Sequence, residues 1–104
     1  MKTTNRNSFD QDVLSVKKLV LLDVWAPFCG PCRGLEPVVE ALSEEVKDWA
    51  DVVKLDASED MDFAQDLGVS GLPTFFVFKD GQAVDSIAGA TTKDKIMQML
   101  SQYR

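Results

Sequence analysis

The chain has 104 residues, 45% of them hydrophobic, enough for one compact domain spanning 1–104 with a buried core. A formal charge of -6 with no histidine leaves no basic stripe to neutralise phosphates, so nucleic acid is not the expected partner and the charge reads as solubility. No stretch approaches a transmembrane span, and Met1 to Ser8 lacks the apolar segment of a secretory signal; a cytoplasmic, monomeric protein without membrane attachment is expected.

Ser8-Phe9-Asp10-Gln11 has the pattern of a capping box, with the Ser8 hydroxyl accepting from the first turn and Gln11 reaching back. It predicts a short helix with Phe9, Val13 and Leu14 inward. Leu19 to Trp25 reads as a buried strand. A helix is expected from about Gly30, carrying Leu35, Val38, Val39, Leu42, Val46 and Trp49 at helical spacing. Pro37 should kink it, because proline lacks an N–H and crowds the preceding turn. Asp51 to Asp56 is a second strand, followed by a short helix from a Ser58 cap to a Gly68 stop. Thr74 to Phe78, the turn Lys79-Asp80-Gly81 and Ala83 to Ala88 form a hairpin. A last helix capped at Thr91 or Thr92 buries Ile96, Met99, Leu100 and Tyr103. Strands that alternate with helices and end in a hairpin imply an α/β protein with a mixed sheet covered on both faces.

The only two cysteines, Cys29 and Cys32, stand on the turn between the first long strand and its helix. Residues three apart on a helix are neighbours, so the sulfurs can meet disulfide geometry. Pro31 suits the first helical turn and stiffens the loop between the sulfurs. Free N–H groups and the positive end of the helix dipole favour a thiolate at Cys29, while Cys32 lies one turn inside and should be shielded. The pair fits a two-step exchange with Cys29 as nucleophile and Cys32 as resolving thiol. A purely structural bridge would close so small a loop that it constrains the unfolded chain little. Two thiolates are only half a tetrahedral zinc site, and no histidine or second pair completes it.

Asp23 interrupts the apolar run Leu19 to Trp25. Buried in a covered strand, its carboxyl would be desolvated, its pKa raised, and it would serve as proton carrier for Cys32; at a strand end it would simply be hydrated. Lys54, in the neighbouring strand, either tunes Asp23 or shares a solvated face with Asp56. Pro73, at the start of the aromatic-rich strand, is either an ordinary edge residue or a cis proline that leaves backbone groups open for a partner. Trp25 and Phe28 flank the cysteines and can form an apolar lip, with core packing as the plainer role of Trp25.

Taken in order, Asp23-Val24-Trp25-Ala26-Pro27, Cys29-Gly30-Pro31-Cys32, Pro37, Lys54-Leu55-Asp56, Gly71-Leu72-Pro73-Thr74, Phe78-Lys79-Asp80-Gly81 and Ala88-Gly89-Ala90 resemble the thioredoxin family over about nine tenths of the chain. The resemblance implies the thioredoxin fold, a three-layer α/β/α arrangement around a central mixed sheet, and a protein-disulfide reductase. Its redox group would be its own cysteine pair, with no added cofactor and no metal. By the same resemblance Asp23 is the buried acid/base with Lys54 beside it, Gly30 and Pro31 tune the redox pair, and Pro73 is cis and faces the cysteines. Trp25, Phe28, Gly30, Ser70, Gly71, Leu72, Gly89 and Ala90 would contact substrate. Electrons would come from a flavoprotein thioredoxin reductase and pass to disulfide-containing client proteins. The Gly-Pro pair between the cysteines resembles the reducing members of the superfamily.

Three positions depart from the family pattern. Phe28 stands where a tryptophan is usual, and Glu36 precedes Pro37 where a small apolar residue is usual. Met1 to Asn7 is more polar than the family's first strand, leaving that strand short or absent. The alternatives are a narrower oxidoreductase serving one client or donor, and a binding module in which the cysteines are incidental. Intact Cys29, Cys32 and Asp23 count against the latter, since binding needs none of them.

Overall fold

The computed structural model describes residues Met1–Arg104. Its centre is a five-stranded sheet in the order β1-β3-β2-β4-β5, formed by Lys2–Thr4 (β1), Leu19–Trp25 (β2), Ala50–Asp56 (β3), Thr74–Lys79 (β4) and Gln82–Ala88 (β5). β1, β3 and β2 run parallel, while β4 is antiparallel to both β2 and β5. Four helices complete it: Gly30–Gly34 (α1), Glu36–Val46 (α2), Met61–Asp66 (α3) and Lys93–Ser101 (α4). This is the thioredoxin-type α/β fold.

β2 is central, and its residues alternate between two cores. Leu19 and Leu21 pack with Val52, Phe75 and Val77 under Val39, Leu42 and Val46 of α2 and Ile96, Met99 and Leu100 of α4. Val20, Leu22 and Val24 face the opposite way, against Val53, Leu55, Phe76 and Phe78, with Phe9, Val13, Ala57 and Ala64 closing that side. A strand buried on both faces carries apolar residues at nearly every position, which is why β2 reads as a continuous run. The period of two puts Asp23 on the same face as Leu19 and Leu21, the face that α2 covers.

Several local readings are corrected. The segment after Ser8 is a single π-helical turn, Asp10–Leu14, without a capping box. Asn5 has taken over the turn: its Oδ1 accepts the N–H groups of Asn7 and Ser8 at 2.9 and 3.0 Å, and the Ser8 hydroxyl accepts from the Asn5 N–H. Gln11 is exposed, yet Phe9 and Val13 are buried as expected. The segment 57–66 splits into a 3₁₀ turn, Ala57–Glu59, and α3. Asp56 caps the first and Asp60 the second, so the cap is not Ser58. Gly68, with φ of 93°, follows α3 as its stop. The long helix is broken at Leu35, because Pro37 cannot donate to the Arg33 carbonyl, and α2 ends before Trp49. Tyr103 lies beyond α4 and donates from its hydroxyl to Asp85 at 2.9 Å. β1 does form, as three residues paired with Val53 to Leu55.

The β4–β5 turn touches a distant element. Asp80 and Gly81 both have positive φ, 52° and 80°, the combination that a tight hairpin requires. A Cβ on Gly81 would also stand 2.9 Å from the Leu14 carbonyl oxygen. Gly81→Ala should therefore destabilise the protein by roughly 1–3 kcal/mol. Urea unfolding of the two proteins checks this, and equal midpoints would contradict the close approach.

Candidate active site

At the C-terminal end of β2 the chain turns through Ala26, Pro27 and Phe28 into α1. Cys29 is the N-cap of α1 and Cys32 lies within its first turn, Cα atoms 5.3 Å apart, joined as a disulfide. The Cys32 N–H donates to Cys29 Sγ at 3.2 Å. Burial alone does not separate the two, at 9% and 7% exposure. Hydrogen bonding does: the Cys29 sulfur sits where a helix start offers N–H groups, so negative charge is stabilised there once the bridge is reduced. Ala26 and both cysteines form a small cluster of their own, against which Trp25 and Leu72 pack.

Asp23 is 5% exposed and makes no ion pair with protein. Burial raises its pKa from 3.8 to about 6; Lys54 works against that shift and Glu36 adds to it. The β2–β3 register sets Lys54 directly beside Asp23, and the β2–β4 register sets Phe75 on its other flank. Lys54 is not on an open face. Its side chain is 11% exposed, its ammonium lies 3.5 Å from a Glu36 oxygen, and it stands 4.3 Å from the centre of the Trp25 ring. Trp25 thus bridges the cysteine cluster and the Asp23–Lys54 pair.

Beside the cysteines lies an open, mostly apolar depression of about 270 Å³ between Phe28 and α3. Phe28, Ser70, Gly71 and Leu72 line it, together with Ala57, Met61, Ala64, Gln65 and Val69. Phe28 is 73% exposed, an apolar ring held in water next to a redox bond. The Leu72–Pro73 peptide is cis. The Thr74 hydroxyl donates to the Gly71 carbonyl at 2.7 Å, and the Gly89 N–H donates to the Pro73 carbonyl at 2.7 Å. Those two bonds fix the loop against β5. Trp25, Gly30, Gly89 and Ala90 do not line the depression; Trp25 packs on the cysteines and Gly89 is tied to Pro73. The α3 contributors escaped the sequence reading because small and polar residues at helical spacing signal only a helix face. Met61, exposed at the start of α3, was the one available hint.

The thioredoxin family model matches residues 1–102. The chain belongs to the thioredoxin family. It is 42% identical over 96 residues to a Synechocystis thioredoxin, covering 92% of this chain and 90% of that protein. It is 40% identical over the same length to the thioredoxin of Porphyra purpurea, with the same coverage. The thioredoxin of Staphylococcus haemolyticus is 39% identical over 103 residues, covering 99% of this chain and 96% of its own. Like other thioredoxins the chain is a disulfide oxidoreductase, and its redox group is the Cys29–Cys32 pair rather than an added cofactor.

The raised pKa makes stability depend on pH with a definite sign. Below about pH 3 the Asp23 carboxyl is protonated both folded and unfolded and exacts no penalty. As pH rises toward 6 and beyond, the unfolded chain ionises first and the buried carboxyl must follow, so stability falls. At about 1.36 kcal/mol per pKa unit the penalty above pH 7 is about 3 kcal/mol. Asp23→Ala should therefore gain about 3 kcal/mol relative to wild type between pH 3 and pH 8. Denaturant unfolding at the two pH values measures the gain, and a pH-independent difference would contradict it.

Proposed function

We propose that this thioredoxin is a protein-disulfide reductase in which Cys29 is the nucleophile, Cys32 the resolving thiol and Asp23 the proton acceptor. The observation that carries the reading is the Cys32 N–H donated to Cys29 Sγ, a bond that favours charge on the first sulfur. The Cys29 thiolate attacks a client disulfide, forming a mixed disulfide and releasing one client thiolate, which takes up a proton. Cys32 then attacks Cys29 Sγ, passes its proton to the Asp23 carboxylate and frees the second client thiolate. Two electrons pass to the client, and the one proton the thiolate form gives up, that of Cys32, is handed on from Asp23 to the second client thiolate. The first client thiolate takes its proton from solvent, and the intramolecular disulfide remains.

Lys54 tunes Asp23, while Gly30 and Pro31 hold the sulfurs in a short, stiff loop. Pro73 packs behind the substrate chain, which lies across Phe28, Ser70, Gly71 and Leu72 and reaches Trp25, Gly89 and Ala90. A flavoprotein thioredoxin reductase restores the dithiol, and clients are proteins with accessible disulfides. Such a cycle suits the reducing cytoplasm, and a single domain acting as a monomer suffices for it.

Dithiothreitol-driven reduction of insulin disulfides tests the roles. Cys29→Ser should fall to the uncatalysed background, and Cys32→Ser should accumulate a covalent client adduct that dithiothreitol releases. Residual turnover near wild type in Cys29→Ser, or no adduct in Cys32→Ser, would overturn the assignment.

A further inference from the structure

We propose that Glu36 is a positioning residue, whose carboxylate holds the Lys54 ammonium against the Trp25 ring and off Asp23, so that the buried carboxyl lacks the ion pair its strand neighbour would otherwise supply. The inference rests on Asp23 being the proton acceptor of the cycle.

Three placements support it. Lys54 and Asp23 are register partners on adjacent strands, so their side chains leave the same face of the sheet. An ammonium so placed would ordinarily pair with the carboxylate beside it. Here its ion pair is with Glu36 at 3.5 Å, and the Trp25 face lies 4.3 Å away. Glu36 is the first residue of α2, the helix that covers this face, and the break at Leu35 sets that residue at the helix start. A carboxylate suits the first turn of a helix. The ring attracts a cation through its negative face and cannot take its proton, so Trp25 and Glu36 together offer Lys54 a complete alternative to Asp23.

Glu36 is half exposed, and a pair of this kind contributes little to stability. Its effect lies on Asp23. Of the charged groups around that carboxyl, β3 supplies Lys54 and α2 supplies Glu36; β4 presents Phe75, and the α1 cysteines are joined and do not titrate in the oxidised protein. Removing the Glu36 charge takes away a repulsion and also frees the ammonium to turn toward Asp23. Both changes favour the ionised carboxylate.

The test is an NMR pH titration of the Asp23 carboxyl carbon in the oxidised protein, for wild type, Glu36→Gln, Lys54→Gln and the double variant. Glu36→Gln should lower the Asp23 midpoint by roughly half a pH unit or more, and Lys54→Gln should raise it. If Glu36 acts through Lys54, its effect in the Lys54→Gln background is clearly smaller than in wild type. An unmoved midpoint, or an equal shift in both backgrounds, overturns the positioning role. The acid limb of insulin reduction, measured alongside, should move with the titration in Glu36→Gln and vanish in Asp23→Asn. A limb that persists in Asp23→Asn would instead overturn the proton-acceptor reading, whatever the titration shows.

Discussion

A carboxyl set in the covered face of a central strand is the constraint around which the redox end of this molecule is built. Asp23 follows Leu19 and Leu21 on the face beneath α2, and ionising it there costs about 3 kcal/mol above neutral pH. That is a sizeable share of the stability of a domain this small. A nearby cation lessens the cost. The register of β2 and β3 brings one, Lys54, within electrostatic range, while Glu36 competes for it. The balance leaves the carboxyl near the middle of its titration at mildly acidic pH, where a group both accepts and returns a proton with little driving force either way.

The sulfur chemistry sits at the end of the same strand. β2 ends at Trp25, and after a three-residue turn Cys29 opens α1. The sheet fixes the strand end and the helix start fixes the sulfurs, so the short bridge is a rigid fixture at the rim of the sheet. Phe28 and Leu72 supply apolar contact on the side where a client would arrive, and the bonds Thr74–Gly71 and Gly89–Pro73 hold the loop that carries Leu72. Trp25 joins the two regions: it packs on the cysteine cluster, and the Lys54 ammonium lies 4.3 Å from the centre of its ring.

Much of this was legible before any coordinates. β2 was readable because a strand buried on both faces is apolar at every position but one, and the exception, Asp23, was itself the clue. The cysteine pair was readable because its turn follows from strand and helix patterns on either side. Local competition was less visible: nothing in Ser8-Phe9-Asp10-Gln11 announces that Asn5 will capture the N–H groups first. Nor could Glu36 be understood from its neighbours in the chain. Its partner lies 18 residues away, and their meeting depends on the strand register and on where the Pro37 break starts α2. The depression beside Phe28 escaped for the same reason, being a gap between elements rather than a property of any one of them.

The most direct test of the account is which sulfur reacts first. The reduced protein would be treated with substoichiometric iodoacetamide across pH 5 to 9, and the modified peptide mapped by mass spectrometry. Carboxamidomethylation is expected at Cys29 well before Cys32. Equal labelling, or Cys32 first, would contradict it.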